Sequence, residues 1–414
     1  MSTSIKNISV AIDGTKSSGF CIELDGTRWR LDNFMLSQSL LSPNTLSFSI
    51  HKEPDERINE VSFNVCGAII GKEVLISLET ESVEKESLKA DTDSVADIEF
   101  AGVIIGASGS RNRSEFSVNV EACSWDALLN DNPTCKSFEN QTLNDIVNDV
   151  VDDYSEHLKT DVDARFTDTI PYSVQYNESN YQFLQRLARR YGEWLYNDGK
   201  KMVFGNLPKG ESVKLAYPSQ DVPSYNVDLK MRHVAFNHVA SSYNSYDANE
   251  KEGIEEMQRE YNTLSEQVFQ ASQSCFVKPT LQNLHSGGFA DSDGRETVLN
   301  ISTKTQARGE KASMLTYSGT TYCSKLKIGS KLVIVDNYMP DASALEKSNV
   351  EQDEMLVTEL VHYFSADETY SNHFVGIPSA CDYPPYSDSD IYPVAQSCRA
   401  KVKDNEDPNN LGRI

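Results

Sequence analysis

Apolar and polar residues alternate through most of the first 125 positions. Ile8, Val10 and Ile12 alternate up to Asp13-Gly14, and Phe20, Ile22 and Leu24 up to Asp25-Gly26. A period of two that ends in Asp-Gly pairs marks antiparallel strands joined by tight turns. Further strands are predicted at 46–50, 62–66, 72–78, 98–105 and 115–122, with Ala107-Ser108-Gly109-Ser110 as a hairpin loop. The Glu/Lys/Asp-rich stretch 79–97 reads as a polar loop or weak helix.

Beyond residue 126 the period lengthens. Leu143, Ile146, Val147, Val150, Val151 and Tyr154 have helical spacing behind a Thr142 cap. A second helix begins at Ser179, with Gln182 three residues on in capping-box spacing, and Gly192 as its stop. Short strands follow at Trp194–Tyr196 and Met202–Phe204 around Asp198-Gly199, which completes a small α+β unit. Residues 226–240 read as strand. Ile254, Met257, Tyr261, Leu264 and Val268 form one apolar stripe of a helix at 251–275, packed on its own barrel or, as a heptad-like seam, on a partner chain. Residues 276–296 read as loop, strands return at 297–302, 313–318, 326–335, 354–364 and 370–377, and 378–399 reads as an ordered linker.

Two stretches look alike. Ile70-Gly71-Lys72-Glu73-Val74-Leu75-Ile76 and Ile328-Gly329-Ser330-Lys331-Leu332-Val333-Ile334 each run from a turn glycine into an apolar strand. Matching by distance from the glycine places Phe100 opposite Val357 and Phe116 opposite Phe374. Landmarks in the same order predict two copies of one β domain.

Composition narrows the function. The chain has 414 residues with 39% hydrophobic content, enough for more than one core. Its 38 basic and 62 acidic residues give a net charge of −24, which argues against nucleic acid as a partner and favours solubility or a wall facing a basic partner. The N-terminus has no apolar signal core and no stretch approaches a membrane span. The expectation is a chain made in the cytoplasm that stays there or leaves without a signal peptide. Eight scattered cysteines without a C-x-x-C pair read as reduced thiols. The segment Ala400–Ile414 passes through an Asx-rich turn at Pro408 and stops within a new strand, which predicts the N-terminal part of a longer protein.

Catalytic signals are weak. There is no H-E-x-x-H, G-x-S-x-G or P-loop. His233 and His238 are five apart in a predicted strand and point to opposite faces, whereas His362 and His373 lie on neighbouring predicted strands and could approach. The carboxylate pairs Asp152-Asp153 and Glu255-Glu256 read as solvated helix positions rather than a glycosidase pair. Glu178 precedes a helix, where a carboxylate gains from exposed N–H groups, and Arg186 is placed to pair with a neighbouring carboxylate. No catalytic, cofactor or metal-ligating residue is predicted.

These features resemble a known family. The run Tyr176-Asn177-Glu178-Ser179-Asn180-Tyr181-Gln182-Phe183-Leu184-Gln185-Arg186-Leu187-Ala188-Arg189-Arg190-Tyr191-Gly192 resembles the N-E-S…F-L-x-R-L…G signature of VgrG proteins, the central spikes of type VI secretion systems and related contractile injection machines. The stretch around Asn372, Phe374 and Pro378, followed by Pro384-Pro385, is similar to the end of that family's hub. The tail with Asp407, Pro408, Gly412 and Arg413 resembles the opening of its OB-fold. The resemblance implies a mainly β fold of two similar antiparallel barrels of the phage tail hub type with an α+β insertion. The expected division is a first barrel at 1–125, an α+β domain at 126–225, a second barrel at 226–380 with a helical insertion at about 251–275, a linker at 381–399 and a truncated OB-fold at 400–414. It further implies a homotrimer, a hexameric tube partner of the Hcp type, a PAAR-type tip, baseplate components and effector cargo, with no cofactor. The alternatives are a phage tail or extracellular contractile particle hub, and a cell-wall glycan hydrolase carrying a binding module.

Overall fold

A computed structural model describes residues 5–14, 20–24, 27–52, 63–80, 98–112, 115–207, 212–217, 222–233, 236–241, 251–252, 263–277, 280–285, 292–336, 350–351, 353–365, 369–389, 391–394, 396–397, 399, 401–402, 404 and 406. The first barrel contains strands β1 (Ile5–Ile12), β2 (Cys21–Leu24), β3 (Thr27–Ser39), β4 (Thr45–Lys52), β5 (Glu73–Thr80), β6 (Ile98–Asn112) and β7 (Glu115–Ser124), with helix α1 (Asn64–Ile69). Its order is β1-β5-β6-β7-β4-β3, antiparallel at every step, and β2 pairs antiparallel with β3. Alternation works as read: Leu46, Phe48 and Ile50 of β4 point into one core with Val74, Ile76 and Val118. Two readings change. Residues 64–69 form a helix rather than a strand, because Ile69 reaches the core from a single helical turn too short to show a period. Ala107–Ser110 lie inside β6 rather than in a loop. Residues 81–97 of the polar stretch lie outside the described residues.

The middle of the chain holds β8 (Thr134–Gln141), α2 (Leu143–Val151), β9 (Thr160–Asp163), β10 (Ile170–Glu178), α3 (Asn180–Tyr191), β11 (Trp194–Asn197) and β12 (Met202–Gly205). Thr142 and Asp145 form a reciprocal capping box on α2, and Ser179 and Gln182 form one on α3. Gly192 ends α3 in the left-handed conformation at φ 66°. The helices bury Ile146, Val147, Phe183, Leu184 and Leu187 together. β11 and β12 make the expected hairpin, while the parallel β9–β12 pair and the β8–β10 pair carried no sequence signal.

The second barrel follows with β13 (Ser212–Tyr217), β14 (Ser224–Leu229), β15 (Phe236–Ser241), β16 (Lys251–Glu252), α4 (Thr263–Cys275), β17 (Thr280–His285), α5 (Ser292–Ala312), β18 (Leu315–Thr321), β19 (Lys331–Asp336), β20 (Val350–Glu351), β21 (Met355–Phe364) and β22 (Tyr370–Pro378). The path β19-β21-β22-β18-β14 repeats β5-β6-β7-β4-β3. The repeat extends to single hydrogen bonds. Gly71 N–H donates to Ile104 O and Gly329 N–H to Val357 O, each at 2.8 Å, and both glycines have positive φ, 77° and 82°. Ile104 N–H then donates to Lys72 O, and Val357 N–H to Ser330 O. Each copy slips register one residue later, between Ile104 and Gly106 and between Val357 and Glu359.

This frame corrects the matched landmarks. Val357 corresponds to Ile104 and Tyr370 to Phe116, so the Phe100/Val357 and Phe116/Phe374 matches fall on the right strands but about four residues out of register. An even shift leaves every side chain on the same face, so the pattern alone does not detect it. The copies differ at β13, which runs parallel to β19 where β1 runs antiparallel to β5. They also differ between β14 and β18. The first copy has only the short link Leu40–Asn44 at this point, and the second has β15, β16, α4, β17 and α5.

The predicted helix at 251–275 is strand at its start, where Lys251–Glu252 form β16, and helix from Thr263, where α4 packs Val268 and Phe269 on Met314. Its residues 253–262 lie outside the described residues. The stretch read as loop, 276–296, contains β17 and the start of α5, and the strand read at 297–302 is α5 helix. The face that α5 buries carries Ser302, Thr303, Thr305 and Gln306, so no apolar period announced a helix. The two barrels join through β3, which pairs with β21 from Glu359/Ser39 to Phe364/Phe34 and makes one continuous sheet.

Candidate interaction site at the capped helix and the C-terminal strap

Most of the motif residues meet around α3. Glu178, the last residue of β10, accepts two parallel bonds from Arg186, Nε to Oε1 and Nη2 to Oε2, both 2.8 Å. Arg186 also donates to Val174 O, and its guanidinium lies 5.1 Å from the centre of the Phe183 ring. Both charges are largely removed from water, so the fork is a clamp between β10 and α3 rather than a surface pair. Ser179 caps the helix, Phe183, Leu184 and Leu187 fill its core side, and Gly192 turns the chain toward Glu193. A Cβ at Gly192 would stand 2.6 Å from Tyr383 and 2.9 Å from Thr305.

Residues 379–389 and 391–394 pass over this helix as a strap without helix or strand. Tyr386 holds its centre: its hydroxyl accepts from Leu195 N–H at 2.8 Å and donates to Glu193 O at 2.7 Å. Burial pushes the Tyr386 phenol well up. Arg165 donates to Asp382 O and Gly192 O and stacks on Tyr383. Glu193 is fully buried and accepts from the backbone N–H groups of Arg165 and Phe166. Its carboxyl is raised because burial outweighs the nearby Arg165. Asp388 N–H reaches Arg189 O, Ser389 N–H reaches Gln306 Oε1, and Arg190 stacks on Tyr392. Pro384 O accepts from Ser387, which lets the Pro384-Pro385 bend lie against Gly309 of α5. A groove of about 390 Å³ runs between the strap and α3, lined by Glu178, Arg186, Arg189 and Tyr392. Arg165, Glu193, Tyr386 and Gln306 were not singled out in the sequence, since each is a lone polar residue outside any repeating pattern.

The other motif residues sit elsewhere. Asn372 is buried and donates to Cys323 O and to Tyr370 Oη, Phe374 lies in the second-barrel core, and Pro378 ends β22. Asp407, Pro408, Gly412 and Arg413 lie outside the described residues. His362 and His373 do not approach: in the β21–β22 ladder His362 faces Asn372, so the two histidines point to opposite faces, one buried and one exposed. His362 meets Tyr370 Oη at 2.7 Å and Gln38 Oε1 at 3.2 Å, and burial pushes its pKa down to about 3, so the ring is neutral. Among the described residues no cluster of three metal-ligating side chains occurs.

A second buried polar cluster lies where the first barrel meets the β11–β12 hairpin. Asn44 donates to Asn197 O and Oδ1, and Asn197 Nδ2 donates to Asp126 Oδ1 at 2.9 Å. Asn44 N–H donates to Ser124 Oγ.

The family model for the phage tail baseplate hub matches residues 60–368, about three quarters of the chain, from α1 of the first barrel through the helix clamp to β21 of the second. The chain belongs to the phage tail baseplate hub family. Among solved structures, this hub protein is similar to a tail protein from Neisseria meningitidis (TM-score 0.60, 10% identity), covering 92% of this chain and 99% of that one. It is similar to a 43 kDa prophage tail protein from Shewanella oneidensis (TM-score 0.56, 14% identity), covering 92% and 100%. It is also similar to an Escherichia coli component of the type VI secretion system (TM-score 0.53, 14% identity), covering 91% and 79%. At these identities the likeness establishes the fold. No curated protein sequence matches the chain. The hub family is structural.

Proposed function

We propose that this hub is the VgrG-type spike of a contractile injection machine of the type VI secretion kind, acting without catalysis. Three copies, each with two barrels, would present six similar units to a hexameric Hcp-type tube. The reading rests on one observation, the repetition of the same hydrogen bonds around Gly71 and Gly329 in two barrels of one chain. A repeat this faithful lets a threefold object face a sixfold one without breaking symmetry. The strap leads the chain from the barrels toward an OB-fold, a PAAR-type tip, baseplate components and effector cargo. The hub would be made in the cytoplasm and leave with the tube. The experiment is co-purification with a hexameric tube protein. A complex of three hub chains on one hexamer supports the reading, and no complex with any tube ring would sink it.

A phage tail hub is the second reading. It is favoured by the Neisseria and Shewanella tail proteins, which this chain matches over nearly their whole length. Recovery of the hub with a phage-type tube and sheath, and not with type VI components, would decide for it.

A further inference from the structure

A pocket of about 500 Å³ opens where the outward face of the first barrel meets the α+β unit. Its floor is a patch of β1, β5 and β6. The ladder sets Ala11, Leu75 and Ala101 in one row across the three strands, and Ser9, Ser77 and Glu99 in the next. Alternation points these side chains away from the core that Val10, Val74, Ile76 and Phe100 fill. The wall is made by Trp125 and His157, whose rings stack with centres 4.8 Å apart. On the floor Leu75 stays 40% exposed. An apolar floor, an aromatic wall and a few charged groups around a space of this size have the form of a recognition site.

The repeat shows that the barrel itself does not require this opening. In the frame set by Gly71 and Gly329, Leu75 corresponds to Val333 and Ala101 to Glu354. In the second copy the Glu354 carboxylate meets Lys331 at 3.1 Å and accepts from Ser379 at 2.8 Å and from Ser212 at 3.3 Å. A charged bridge therefore lies over the corresponding face. In the first copy an alanine takes that place, and the face is left open.

The charges at the border select the occupant. Lys200 is paired with Glu99 at 2.6 Å. Among the described residues Lys159 and Glu73 form no ion pair, so the border keeps one positive and one negative group to offer. Two opposite charges beside an aromatic wall match a short stretch of polypeptide, which can carry an acid and a base on the two flanks of one aromatic residue. We propose that this pocket docks a partner polypeptide through an aromatic side chain, with an acidic neighbour against Lys159 and a basic neighbour against Glu73. The ring lies on Ala11, Leu75 and Ala101 beside Trp125 and covers apolar surface that is otherwise in water. The contact does not depend on the spike reading, since a phage tail hub would offer the same pocket.

The test titrates the whole chain against a fluorescein-labelled peptide, Gly-Ser-Asp-Trp-Lys-Ser-Gly, and follows anisotropy. One control peptide has Ala for the Trp, and a second has Lys for the Asp. Free indoleacetate serves as a small-molecule competitor. Ala11→Leu fills the floor from its outward side, and Lys159→Glu reverses an exposed charge, so the second variant keeps the test open if the first folds poorly. Saturable binding to the wild type is expected, weakened about tenfold or more by loss of the peptide Trp or by Ala11→Leu. Lys159→Glu should turn the preference from the Asp peptide to the doubly basic one. No saturable binding at millimolar peptide, or binding that neither variant changes, would overturn the pocket as the docking site. Indoleacetate that binds as tightly as the peptide would overturn a polypeptide as the occupant.

Discussion

Asp126 should make the hub less stable as pH rises. The residue is fully buried, one carboxylate oxygen accepts from Asn197, and the other has no partner. Burial, only partly offset by Ser124 and Asn197, pushes its pKa from 3.8 up to about 6. The folded state therefore holds the proton more tightly than the unfolded chain. Stability is complete below about pH 4, falls as pH rises through the window up to about 6, and stays reduced above it. A difference of this size corresponds to about 3 kcal/mol at pH 8. Asp126→Asn keeps an oxygen for Asn197 but cannot ionise. Denaturant unfolding, followed by the fluorescence of the adjacent Trp125, should show the variant about 2–3 kcal/mol more stable than wild type at pH 8, with the gap closed at pH 4. Comparing the two chains at each pH cancels the titration of all other groups. A variant that is equal or weaker at pH 8, or a gap that grows on acidification, would refute the argument that desolvation governs this carboxyl.

Three other outcomes follow from the geometry. Glu178→Ala strands the buried Arg186 guanidinium and should cost about 3 kcal/mol in denaturant unfolding, much of it recovered in Glu178→Leu/Arg186→Met; a loss under about 1 kcal/mol would mean that water already screens the pair. Ile76→Asp and Ile334→Asp, each placing a charge in one barrel core, should abolish soluble folded protein, and a soluble native assembly would sink the two-barrel description. Gly71→Ala and Gly329→Ala should each cost about 1 kcal/mol from backbone strain at positive φ, equal within a few tenths if the copies are as alike as their hydrogen bonds; a two-fold disparity in unfolding free energy would break the equivalence.

Features set by short-range chemistry were legible in the sequence. The caps at Thr142 and Ser179 and the stop at Gly192 are written in three or four adjacent residues, and the alternating strands of the first barrel follow from a period of two. The pairing of Glu178 with Arg186 was half-readable: a carboxylate before a helix and an arginine two turns later suggest contact, but not the two-pronged burial against Phe183. What escaped depends on distant partners. The buried face of α5 is polar because it meets the strap and α3, so Gln306 receives Ser389 N–H where a lone helix would carry leucine. The register of the repeat escaped because a shift of about four residues preserves every in-out assignment. Tyr386 gave no signal, since its two bonds go to backbone groups almost two hundred residues away.

The copies diverge at one place in particular, and that place steers the chain. Where the first barrel has the link Leu40–Asn44, the second carries the insertion that ends in α5. The strap lies on α5 through Gln306, Gly309 and Arg308, which reaches Asp382. Two identical barrels would offer the departing chain two equivalent paths, and the insertion leaves one per copy. The strap's hold on α5 is therefore a separate function from barrel integrity, and the two should come apart. At Gly309 a Cβ would stand 2.6 Å from Ser387 Cβ, so Gly309→Leu should lift the strap without entering either barrel core. Limited proteolysis should then cut within residues 382–392 much faster than in wild type, while the unfolding transition of the barrels stays in place. Unchanged protection would mean that Arg165, Tyr386 and α3 hold the strap alone, and the asymmetry of the repeat would need another explanation.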